Sequence, residues 1–306
     1  MRLPRAIFLL AFGATAAAHH DPAVTLEMLD AQILKTPGIA ELYYQRADEL
    51  LAMTRLDAAE ADLHRALALR SDYLPAKRLM ARICQVRGNA KMALEVLQKA
   101  LADAPADHAF LVPGCLQMEG ELLLSLNHPA EALNAFNESL AASTTPDFET
   151  IRLRSEALRI LGQHDERIAS LQAAWQRSQA VILRNDWLEA LIDAGRGTEA
   201  LPCIETELST SRFQSSWLIR RARVFFASGR TAEARADLAA AIAELNTRLT
   251  MDPPPVTLLL DRCLAQHLLG DDHNAQIDLA KIRQLGTTAS ELQRLTRLVA
   301  EKPAAR

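Results

Sequence analysis

Residues 88–105 read Gly88-Asn-Ala-Lys-Met-Ala-Leu-Glu-Val-Leu-Gln-Lys-Ala-Leu-Ala-Asp-Ala-Pro105, which is a turn, a helix and a stop. Gly88 supplies the backbone freedom a helix–helix turn needs. Ala93, Leu94, Val96, Leu97, Ala100 and Leu101 then fall on one face of a 3.6-residue helix. Pro105 cannot continue that helix.

Weaker copies of the pattern recur along the chain. Candidate turn residues are Thr54, Gly88, Asn127, Gly162, Gly195, Gly229 and Gly270, spaced 34, 39, 35, 33, 34 and 41 residues apart. Asn127 is a non-glycine residue that tolerates the left-handed conformation. The two long gaps coincide with insertions near 108–112 and 249–255, the second carrying Asp252-Pro253-Pro254-Pro255. The periodicity predicts seven helical hairpins from about 40 to 289, with a capping helix before them (about 22–35) and another after them (290–301). Composition agrees with an all-α chain. Hydrophobic residues make up 49% and aromatics only 5%, with Ala and Leu in place of the β-branched and aromatic runs that strands prefer.

Within each hairpin, small residues recur at positions 8, 20 and 27, with a large apolar residue at 24: Ala47, Ala59, Leu63 and Ala66 in the first unit, Ala81, Ala93, Leu97 and Ala100 in the second. Small residues let two helices approach, and the large one fills the space between them. The fourth unit departs from this with Arg167, and the fifth with Glu207. The period and the small-residue positions resemble the tetratricopeptide repeat family over about 40–289. Another α-solenoid of hairpins would share the period, and no unit keeps the full set of family aromatics. The resemblance implies a superhelix whose concave groove is lined by first helices and holds a protein or peptide partner.

On that resemblance, the groove positions carry Tyr44, Asp48, Arg78, Arg82, Gln117, Glu121, Arg152, Glu156, Asn185, Glu189, Arg220 and Arg223. Arg78 and Arg82 are four apart on one helical face, and Arg220 and Arg223 three apart. Such pairs can hold a carboxylate bidentately; they can equally serve as ion pairs between neighbouring helices. The family clamp that grips chaperone C-termini has Lys and Asn where this chain has Tyr44 and Asp48, so that specificity does not transfer.

The first eighteen residues read as a signal peptide: Arg2 and Arg5, then an apolar run to Ala14, then Ala16-Ala17-Ala18. Its removal changes the formal charge from −4 to −6, because 32 basic residues then face 38 acidic ones. The sequence therefore predicts an exported, periplasmic or secreted, mildly acidic protein of the cell envelope. A balance of this sign gives no basic face for nucleic acid. The mature N-terminus would begin near His19-His20, a weak alternative metal site suited to Cu(II) or Ni(II). The other His residues show no metal spacing, and no catalytic motif or cofactor-binding loop is present. The four Cys, at 84, 115, 203 and 263, are far apart and read as small buried hydrophobes. A Cys84–Cys115 bridge is disfavoured by the offset in register.

Overall fold

The computed structural model describes residues 22–145 and 147–285. Among these are fifteen α-helices, two 3₁₀ turns and no strand. The first is α1 (Pro22–Lys35), followed by α2 (Ala40–Ala52), α3 (Leu56–Leu69), α4 (Leu74–Val86), α5 (Ala90–Ala102), α6 (Val112–Ser125), α7 (Pro129–Ala142) and α8 (Phe148–Ile160). Then come α9 (His164–Ser178), α10 (Val181–Asp193), α11 (Leu201–Thr210), α12 (Ser215–Ala227), α13 (Thr231–Arg248), α14 (Val256–Leu269) and α15 (Asp272–Leu285). The signal peptide, His19 and His20, and the C-terminal capping helix lie outside the described residues.

Consecutive helices pair as hairpins, α2 with α3, α4 with α5, α6 with α7, α12 with α13 and α14 with α15, while α9 packs on α10 as the second helix of one repeat against the first of the next. Every one of the seven turn residues named from the sequence has positive φ, from 58° at Thr54 to 85° at Gly270. Only a glycine-like backbone closes these turns without strain, which is why five of the seven are Gly.

The small-residue positions are the close contacts. Ala47, Ala59 and Ala66 are fully buried, as are Ala81 and Ala93 and as are Ala222, Ala234 and Ala241. At position 8 of the third hairpin stands Gly120, where an added Cβ would lie 2.4 Å from the Phe136 ring. The ring therefore occupies the volume that alanine fills elsewhere. The two departures from the pattern are paired charges. Arg167 is buried and donates to Asp193 at 3.0 Å, and Glu207 binds Arg184 at 2.6 Å.

In the fifth hairpin the second helix begins later than the periodicity implies. A 3₁₀ turn, Gly197–Glu199, precedes α11, and Pro202 sits in the first turn of that helix. Gly197 packs against Val224, with a hypothetical Cβ only 2.8 Å from Cγ2. The chain divides into two compact units at Ala157/Leu158, within α8. Unit 1 holds cores around Tyr43, Ala47 and Leu63, around Leu97, Cys115 and Leu122, and around Phe136. Unit 2 holds cores around Phe225 and Leu238 and around Leu259 and Cys263.

Candidate functional site

The two units treat their first-helix faces differently. In unit 2 the charges are consumed internally. Glu189 on α10 is only 8% exposed. It accepts from Arg220 Nε at 2.9 Å and from Arg223 Nη1 at 2.5 Å, both on α12. Arg223 also donates to Asp193 at 2.9 Å, and Asp193 accepts from Arg167 of α9. One network thus ties α9, α10 and α12. Burial alone would lower the affinity of Arg223 for its proton, yet the Glu189 and Asp193 carboxylates leave its pKa raised above the ordinary value. Arg220 further lies 4.9 Å from the Trp217 ring centroid, and Arg184 lies 5.5 Å from it on the same ring. Asn185 sits half-buried beside them, its Oδ1 buried and without a partner. Ile219, next to Arg220 on α12, is buried outright.

Unit 1 leaves its face open. Tyr44 and Asp48 stand on α2, Arg78 and Arg82 on α4, Gln117 and Glu121 on α6. Asp48, Arg78 and Arg82 are exposed. Arg82 donates to the Gln85 amide oxygen at 2.7 Å, and neither it nor Arg78 has a carboxylate partner among the described residues. Arg78 lies over Gly114 of α6, where a Cβ would come within 3.4 Å of Nη1. The absence of that Cβ lets the guanidinium approach the neighbouring helix closely. Beside it, Gln117 donates to Glu121 at 3.0 Å and accepts from Thr150 of α8 at 3.0 Å. Arg152 on α8 donates to Glu149 at 3.2 Å, and Glu156 lies one turn further along the same helix.

An aromatic ladder borders this face and was not legible as a site. Tyr44 meets Tyr73 edge-on at 5.7 Å, Tyr73 meets His108 at 5.9 Å, and His108 meets Phe110 at 6.5 Å. His108 and Phe110 belong to the 3₁₀ turn Ala106–Leu111, the insertion that lengthens one turn-to-turn gap. Phe110 is 74% exposed. Arg70 clamps the ladder. It lies 5.0 Å from the Tyr73 ring and touches His108 Nε2 at 3.2 Å, with Glu41 and Asp107 as counter-ions. Because arginine only donates, Nε2 would be the accepting nitrogen of that contact. Burial first, then Asp48, raises the Tyr44 pKa, while Arg78 pulls it down. Tyr73 is pushed up to about 12 by burial and by Glu41.

All four cysteines are free thiols. Among the described residues no group of three or more His, Cys, Asp or Glu could hold a metal ion, and no helix is long and apolar enough to cross a membrane.

Stacked antiparallel hairpins with small residues at their crossings define an α-solenoid of interaction repeats. The sequence signature of the tetratricopeptide repeat matches residues 40–73 and 185–248. Those matches, with the hairpin architecture, support a tetratricopeptide repeat protein. A tetratricopeptide repeat protein from Parabacteroides merdae ATCC 43184 is similar in structure, with a TM-score of 0.59 and 18% identity over 86% of this chain and 99% of that one. A chain of the APC/C hetero-tetramer Cut9–Hcn1 is similar with a TM-score of 0.52 and 12% identity, over 92% of this chain and 46% of that one. No curated protein matches the chain in sequence.

Proposed function

We propose that the protein is a non-catalytic, exported scaffold that holds a protein or peptide segment on the first-helix face of unit 1. The observation that carries this reading is the contrast in charge. Arg220 and Arg223 are held by Glu189 and Asp193 in unit 2, whereas Arg78 and Arg82 stand exposed without a carboxylate among the described residues. An arginine left unpaired on a rigid helix keeps its full capacity for a bidentate bond to an incoming carboxylate. The neighbouring Tyr44 and Phe110 offer the aromatic surface that interface centres favour. The leader-like residues 1–18 support a place in the cell envelope, in assembly or transport.

A photo-crosslinking residue placed at Asp48 or Gln85 tests this in the native envelope, with the same residue at Asp193 for comparison. Discrete adducts are expected from 48 and 85 and none from 193. Adducts from 193 alone would move the binding surface to unit 2. Sequencing the N-terminus of the same purified protein tests export, and an intact Met1 would contradict it.

A further inference from the structure

We infer that the N-terminal helix α1 is a self-association surface that joins two copies of this chain in antiparallel register. One face of α1 does the expected work of a cap: Leu29 and Ile33 are buried, and Leu26 packs beside Ile33 against the α2–α3 core. Among the described residues α1 packs on α2, and the face of a helix turned away from its core is ordinarily polar. Here it is not. Val24, Met28 and Ala31 recur at i, i+4 and i+7 with Leu34 alongside, and the large ones are 53%, 55% and 84% exposed for Val24, Met28 and Leu34.

The arrangement is self-complementary. Let a two-fold axis pass beside Ala31, the small residue at the centre of the stripe, and run the second helix antiparallel. Residues three before and three after the axis then meet, so Met28 packs on Leu34 of the second copy, twice. Residues four before and four after also meet, so Glu27 faces Lys35 of the second copy, again twice. Both are exposed, and neither has an ion-pair partner among the described residues of its own chain. Asp30, by contrast, is already held by Arg46 at 2.6 Å. A parallel pairing would set Glu27 against Glu27 and Lys35 against Lys35, so charge selects the antiparallel one. The contact is a single helix of fourteen residues, so the interface falls at the small end of specific ones. The dimer should therefore be weak and reversible.

Sedimentation equilibrium of the full chain, from low-micromolar to near-millimolar concentration, tests the inference. The wild type is expected to dimerise with concentration. Met28→Asp should weaken the dimer roughly ten-fold or more, because it buries a carboxylate in an apolar contact. Glu27→Lys and Lys35→Glu should each lose association alone and recover it when mixed in equal amounts, since only the mixed pair restores both ion pairs. All three positions are exposed, and unchanged helicity by circular dichroism confirms that the fold persists. A wild type that stays monomeric throughout, as when residues 1–21 of the same chain cover the stripe, would overturn the inference. So would a dimer indifferent to Met28→Asp, or charge variants that fail to rescue one another.

Discussion

Arg46 and Asp62 meet through two parallel hydrogen bonds, Nε to Oδ2 at 2.7 Å and Nη2 to Oδ1 at 2.6 Å, across sixteen residues. The same spacing and fork return at Arg221–Asp237 and Arg262–Asp278. Each pair ties the first helix of a hairpin to its second. Arg46 also reaches Asp30 on α1, and Arg262 also reaches Asn246 on α13. One guanidinium therefore fixes three successive helices, which a point charge such as lysine could not do. Asp278 is only 2% exposed. Arg262→Ala should strand it without a counter-charge and cost roughly 2–4 kcal/mol, read as a lowered midpoint in urea denaturation. Arg262→Met combined with Asp278→Leu should recover most of that loss.

Gly120 tests the packing rule at its tightest point. In Gly120→Ala the new methyl would collide with the Phe136 ring, 2.4 Å away and itself fully buried. The expected loss is about 1–3 kcal/mol, as for other overpacked cores. Gly38→Ala is the control, because open space surrounds that position, and its denaturation midpoint should barely move.

Thr54 adopts φ 58° at a turn where five other hairpins use glycine. A β-branched residue is strained in this conformation. Thr54→Gly should therefore stabilise the protein by roughly 0.5–1 kcal/mol after the entropy cost of glycine is subtracted. Thermal denaturation followed by circular dichroism would show the rise.

The buried thiols set an alkaline limit. Burial, with Asp278 nearby, pushes the Cys263 thiol up to about 11, and burial raises Cys115 in the same direction despite Arg78. An unfolded thiol ionises near 8.5. Between these values the folded chain holds protons that the unfolded chain has lost, so stability is full below about 8.5 and declines as pH rises toward 11. Denaturation midpoints measured across that window should fall. Cys263→Ala should flatten part of the decline, whatever its own packing cost.

The turns and the small-residue crossings were readable from sequence because each follows from local geometry. A residue that must take positive φ, or a helix pair that must approach closely, restricts the amino acid at one position. Arg167 and Glu207 looked like flaws in the repeat because their partners, Asp193 and Arg184, lie more than twenty residues away. The sixteen-residue Arg–Asp pairing was present in the sequence, but it repeats in only some hairpins and does not share the hydrophobic period. The groove residues were harder still. Helical position alone treats Arg78 and Arg223 alike, and only the neighbouring side chains show that Arg223 is spoken for while Arg78 is not. The ladder ending in Phe110 lay in an insertion, where no period applies.

That difference between the two arginine pairs is also the sharpest test of the account. Arg78→Ala with Arg82→Ala should leave the thermal midpoint unchanged, because neither side chain holds a carboxylate among the described residues. Arg223→Ala should lower it, because Glu189 and Asp193 lose a shared counter-charge. Capture of envelope partners by the three proteins, quantified after crosslinking, is the decisive measurement. The double variant should lose roughly a hundred-fold in capture, the worth of two hydrogen bonds to charged groups, while remaining folded. Undiminished capture by a folded Arg78/Arg82 double variant would contradict the assignment of the binding face to unit 1.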